Sequence, residues 1–71
     1  MENYNLRRAY FTLWKAEDAT YKLGEQLIDW TETEFTTREL REVIGKFEEP
    51  FRLLSEALGT LQAVLMERES K

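Results

Sequence analysis

The sequence predicts an all-α fold: a long antiparallel helical hairpin that pairs with a second copy into a four-helix bundle dimer. Three observations lead to this prediction. Apolar residues recur at an average spacing of about 3.5 residues along the second half of the chain, which is typical of a helix that lies along another helix. The first thirty residues contain no Pro and a single Gly, Gly24. The 71-residue chain has no Cys, so oligomerisation rather than disulfide bonding is the expected way to complete so small a core.

The first helix is predicted from about Tyr4 to Trp30. Asp18 and Lys22 have the i,i+4 spacing of an ion pair that stabilises a helix. Small and apolar residues occupy the a and d positions of the heptads, namely Leu6, Ala9, Leu13, Ala16, Thr20, Leu23, Leu27 and Trp30. We expect this side of the helix to pack against the second half of the chain.

A loop is predicted over residues 31–36, where β-branched and polar residues disfavour a helix. Thr36 and Glu39 have the spacing of a capping box, in which each side chain accepts a hydrogen bond from the other residue's backbone N–H. A second helix over residues 37–69 follows from this signal. The loop length suits two antiparallel helices, so the whole chain, residues 1–71, is predicted to form one domain.

The second helix carries a leucine-rich row whose members alternate in steps of four and three. The row consists of Leu40, Ile44, Phe47, Phe51, Leu54, Leu58, Leu61 and Leu65. We expect it to pack against the first helix. Pro50 disturbs this helix, because proline removes a backbone hydrogen bond and clashes with the preceding turn. The row keeps its phase across Pro50, so we expect a kink or a brief break at residues 48–50.

Both predicted helices carry apolar arcs too wide for a contact between two helices. The arc on the first helix spans about 200°, whereas a helix that packs on one partner needs little more than about 100°. A large apolar surface on a soluble chain usually marks an interface, and the symmetric dimer is the commonest assembly. The predicted dimer interface consists of Tyr10, Trp14, Tyr21, Ile28, Leu54, Leu58, Leu61 and Leu65.

The composition argues against catalysis and metal binding. The chain has no His and no Cys, which removes the commonest general base, the commonest metal ligand and all thiolate chemistry. Glu42, Glu49 and Glu56 recur every seven residues opposite the leucine-rich row, where we expect a solvated surface. The three glycines are isolated, so no glycine-rich phosphate loop is present. We therefore expect no enzymatic activity, no cofactor and no metal.

A basic row on the first helix is the candidate partner-binding surface. Arg8, Lys15 and Lys22 repeat every seven residues, with Tyr4 and Phe11 beside them. Such a row can dock an acidic protein, or it can bind phosphates while the rings stack on bases. An ordinary solvated face has the same pattern. Neighbouring acidic residues interrupt the row, and the net charge of −4 disfavours nucleic acid, so a protein is the expected partner.

The predicted function is that of a small, non-enzymatic protein-interaction module: an adaptor, co-chaperone or inhibitor of the kind found in phage and bacterial regulatory systems. Two alternatives stay open. One is a nucleic-acid-binding dimer that uses the Arg8, Lys15 and Lys22 row, and the other is an acidic immunity or antitoxin-like inhibitor of a basic partner. The layout resembles other small helical hairpins, including secretion co-chaperones and dimeric plasmid RNA-binding hairpins, in fold alone. With no membrane span or signal-peptide core, we expect a cytoplasmic protein.

Overall fold

The structure, a computed structural model, describes residues 2–70, and all the regular secondary structure in these residues is helical. Helix α1 comprises Glu2–Asp29, α2 comprises Thr37–Lys46 and α3 comprises Glu48–Glu69. The predicted hairpin is confirmed, because α1 packs along α3. The hairpin measures 57 × 16 × 13 Å and has a radius of gyration of 16.7 Å. A compact domain of this length would have a radius of about 11 Å, so the fold is a rod.

The turn between the two arms is held by two local contacts. The predicted capping box is confirmed: the Thr36 N–H donates to Glu39 Oε1 at 3.0 Å, and the Glu39 N–H donates to Thr36 Oγ1 at 3.1 Å. The rings of Trp30 and Phe35 stack with their centroids 4.6 Å apart. The second arm therefore begins at a defined residue, and the chain before it is anchored to the end of α1.

The second arm is broken for one residue, at Phe47, rather than kinked. The Phe47 N–H donates to the Ile44 carbonyl at 3.2 Å, and the Phe51 N–H then donates to the Phe47 carbonyl at 3.3 Å. Pro50 is the third residue of α3. Backbone N–H groups in the first turn of a helix have no intrahelical acceptor, so the missing N–H of Pro50 removes no helical hydrogen bond.

The contact between the two arms, here called the inner seam, combines three alanines with larger apolar residues. Its buried members are Ala9, Ala16 and Leu23 of α1, Val43 of α2, and Pro50, Leu53, Ala57 and Val64 of α3. At the open end of the hairpin, Arg68 Nε donates to Glu2 Oε2 at 3.0 Å and joins the two arms. This hydrogen bond and the charge of the carboxylate raise the pKa of the Arg68 guanidinium.

The predicted packing of the leucine-rich row is wrong by one position. On α3 the buried residue precedes the expected one, so that Leu53 is buried and Leu54 is exposed. A shift of one residue turns a side chain by about 100° around a helix. On α1 the alanines of the predicted heptads are buried, but Leu6, Leu13 and Leu27 are exposed. The physical reason is size: two helices approach most closely where their facing side chains are small, which leaves the leucines along the edge of the contact.

Candidate protein-interaction surfaces

One long side of the hairpin is covered by large apolar side chains. We call it the leucine face, and its members are Leu6, Leu13 and Leu27 of α1 with Leu54, Leu58, Leu61 and Leu65 of α3. Their exposed fractions run from 39% at Leu61 to 56% at Leu58. Leu13 and Leu54 line one shallow recess, together with Glu17, Thr20 and Tyr21. The two helices therefore present their leucines on the same side, and no described residue covers them.

The hairpin also exposes more surface than a compact chain of its mass. Its accessible surface is 6207 Å², whereas a compact monomer of 8.5 kDa exposes about 4,700 Å². The excess of about 1,500 Å² is larger than the roughly 800 Å² that each partner buries in an interface of standard size. No described side chain reaches complete burial. The monomer consequently has both a thin core and enough spare surface for a stable interface.

A second apolar surface, here called the aromatic face, lies on the outer side of α1. Trp14, Tyr21 and Ile28 stand seven residues apart, with exposed fractions of 61%, 67% and 72%. They lie about half a turn around the helix from the inner seam. Trp14 also borders the groove that Leu53 lines, and Tyr21 borders the recess that Leu54 lines. Next to this surface, the rings of Tyr10 and Phe11 meet edge to face at 5.5 Å. The eight residues of the predicted dimer interface therefore extend from the leucine face to the outer side of α1, and Tyr21 and Leu54 line one recess where the two surfaces meet.

The remaining long side of the hairpin carries charges of both signs. A groove of about 510 Å³ runs between the arms there, and its charged lining residues are Lys15, Asp18, Lys22, Lys46 and Glu49. Lys22 Nζ lies 3.2 Å from Asp18 Oδ2, which confirms the predicted ion pair. The acidic residues of α3 thus border the basic row of α1. This mixture lowers the positive potential that phosphate binding requires, which weakens the nucleic-acid alternative.

The five residues predicted to bind a partner are all exposed, but they do not form one pocket. Lys15 and Lys22 line the charged groove. Phe11 instead packs against Tyr10, and Tyr4 and Arg8 belong to the first turns of α1. The sequence reasoning missed that Leu6, Leu13 and Leu27 belong to an exposed surface. The signal that could have shown it is the heptad spacing of Ala9 and Ala16, because small residues mark the line of closest helix approach.

Two features are absent from the described part of the chain. Among residues 2–70, no three His, Cys, Asp or Glu side chains come together as a metal site. None of the described helices has the length and apolarity to cross a bilayer. Comparisons with models of protein families, with curated proteins and with solved structures give no match.

Proposed function

We propose that this chain is a non-enzymatic protein-interaction module that works as a homodimeric four-helix bundle. The main support for this proposal is the exposure of the leucine face. Seven leucines on one side of each hairpin are partly exposed, and burying a leucine fully contributes about 1.5–3 kcal/mol. A symmetric pairing places the same face of both chains in contact, so the interface is complementary to itself.

A dimer formed in this way leaves other surfaces free for a partner. The aromatic face lies on the outer side of α1 with Tyr21 at the border of the leucine face, and the charged side lies across the hairpin from the leucine face. Each dimer would present both surfaces twice, related by its twofold axis. This arrangement suits an adaptor, co-chaperone or inhibitor that holds another protein. The cysteine-free composition is compatible with a reducing compartment such as the cytoplasm.

Sedimentation equilibrium at micromolar concentration tests the dimer. We expect about twice the chain mass of 8.5 kDa for the wild-type protein. Leu58→Glu places a carboxylate at an exposed position in the middle of the leucine face, so it should give a folded monomer, because burying an unpaired charge in an interface is costly. Ala63→Glu is the matched control, since it adds the same charge about 140° away around α3.

Three outcomes would contradict the proposal. The first is a wild-type protein that sediments as a well-folded monomer. The second is an Ala63→Glu protein that dissociates as fully as Leu58→Glu, and the third is a Leu58→Glu protein of unchanged mass. Far-ultraviolet circular dichroism of each variant shows whether the helices are intact. A folded Leu58→Glu monomer would show that the substitution removes the dimer interface and leaves the hairpin intact.

A further inference from the structure

The aromatic face is exposed on the hairpin, and Tyr21 lies at its border with the leucine face. Trp14, Tyr21 and Ile28 occupy the side of α1 opposite the inner seam, and their side chains keep 61%, 67% and 72% of their surface. Tryptophan and tyrosine are the residues that most often anchor protein interfaces. Two such side chains, with Ile28 in the same column of α1, indicate a docking surface for a second molecule.

The charge around this column selects the kind of partner. Residues 17–34 contain six acidic residues and one basic residue, Lys22, which is already paired with Asp18 at 3.2 Å. Residues 2–16 contain one acidic residue and three basic ones. The carboxyl-terminal half of α1 is therefore strongly acidic beside its aromatic residues. A basic partner would be attracted to this half, whereas an acidic one would be repelled.

A recess in the aromatic face has the chemistry to hold one basic side chain. Trp14, Glu17, Asp18 and Tyr21 line it, and its volume is about 200 Å³. Glu17 has no ion-pair partner among residues 2–70. Indole and phenol rings attract a cation placed over their faces, and a free carboxylate accepts charge-assisted hydrogen bonds from guanidinium or ammonium groups.

We propose that the aromatic face docks a basic, amphipathic helical segment of a partner protein. An Arg or Lys side chain of the partner enters the recess between Trp14 and Tyr21 and binds Glu17. An apolar residue one or two turns along the partner helix packs on Ile28. This inference rests on the proposed role as a protein-interaction module, and it assigns the partner's chemistry and its place of binding.

Two synthetic helical peptides test the inference. Both have three heptads with Leu at the a and d positions and Ala at the b, c and f positions. One peptide carries Arg at the e and g positions, and the other carries Glu there. Binding is followed by the fluorescence of Trp14 in a Trp30→Phe protein, which leaves one indole of the two in the chain. We expect the Arg peptide to bind at least tenfold more tightly than the Glu peptide.

Substitutions on the protein locate the binding site. Glu17→Gln should lower the affinity for the Arg peptide at least threefold. Glu67→Gln removes an equivalent charge from α3 and should change that affinity less than twofold. Trp14→Leu keeps an apolar side chain but removes the ring, and calorimetry should show at least fivefold weaker binding. Trp14 is exposed, so circular dichroism should show intact helices.

The same measurements in the Leu58→Glu background separate this inference from the proposed dimer. If the Leu58→Glu protein is a monomer and still prefers the Arg peptide, the docking site does not depend on the dimer. Sedimentation of the wild-type protein then tests the dimer proposal separately. The inference is overturned if neither peptide binds, if both peptides bind equally, or if Glu17→Gln and Glu67→Gln have equal effects. It is also overturned if Trp14→Leu dissociates the dimer, because a second copy would then occupy this face.

Discussion

The inner seam and the leucine face are neighbouring strips of the same hairpin, but they are built from side chains of different size. Ala9, Ala16 and Ala57 are buried in the inner seam. Large leucines dominate the adjacent strip, where Leu54 retains 46% of its surface although the preceding residue, Leu53, retains 6%. The hairpin therefore uses its small residues to close on itself and leaves most of its large apolar residues exposed.

This difference separates two properties of the molecule. Contacts in the inner seam stabilise a single chain, so their loss should lower stability at any protein concentration. Contacts on the leucine face, in the proposed dimer, form only between chains, so their loss should matter only where the dimer is populated. Variants placed in the two strips can therefore be compared by repeating one unfolding measurement at several concentrations.

The largest effect is expected for Leu53→Ala in the inner seam. Removing a buried leucine leaves a cavity and costs about 2–5 kcal/mol, which is a large part of the stability of a small domain. Urea unfolding followed by circular dichroism should show this loss equally in dilute and concentrated protein.

Leu54→Ala is the matched variant, because it removes the same atoms from the next residue along α3. Its cost should be clearly smaller than that of Leu53→Ala in dilute protein and should increase at concentrations where the wild-type protein is a dimer. Equal losses for the two variants in dilute protein would show that the boundary between inner seam and leucine face is misplaced.

An intermediate effect is expected at the turn, which lies outside both strips. Thr36→Ala removes the side chain that accepts the Glu39 N–H at 3.1 Å, and loss of such a cap costs about 1 kcal/mol. Thr37→Ala is the control, since Thr37 is the first residue of α2 and provides no cap. Thermal unfolding should separate the two, and equal melting temperatures would mean that the capping box contributes nothing measurable.

The smallest effect is expected at two glycines, and its sign is stabilising. A Cβ at Gly24 or at Gly59 would meet no atom within 4 Å, so alanine should add about 0.5–1 kcal/mol by restricting the unfolded chain. Both variants should raise the melting temperature of dilute protein. At dimer concentrations only Gly59→Ala should keep the whole gain, because Gly24 borders the leucine face through Leu27. An unchanged gain for Gly24→Ala would place it outside the interface.

Much of the fold could be predicted from local sequence signals. The all-α class and the hairpin followed from helical periodicity and from a loop of the right length. The capping box followed from the spacing of Thr36 and Glu39, because the two hydrogen bonds are made within four residues. The break near Pro50 followed from the chemistry of proline, although its position at Phe47 depends on how the first turn of α3 accommodates the ring.

The candidate surfaces could be predicted only in part. Exposed leucines were expected from the width of the apolar arcs, but the particular leucines depended on the register of the hairpin. Tyr21 and Leu54, which the sequence grouped in one interface, line one recess, whereas Trp14 also borders the groove on the charged side. Periodicity within one helix relates residues of that helix only, so it carries no information on which column of a second helix lies opposite.

The sequence by itself determined the helices, their cap and the presence of more apolar surface than one hairpin can bury. Only the tertiary structure decided which of two adjacent heptad columns closes the hairpin. On α3 the column of Leu53 and Ala57 and the column of Leu54 and Leu58 have nearly the same spacing, and hydrophobicity alone favours the second. The first is buried because Ala57, like Ala9 and Ala16 of α1, is small enough to let the two backbones approach closely, and Leu53 in the same column is buried with it.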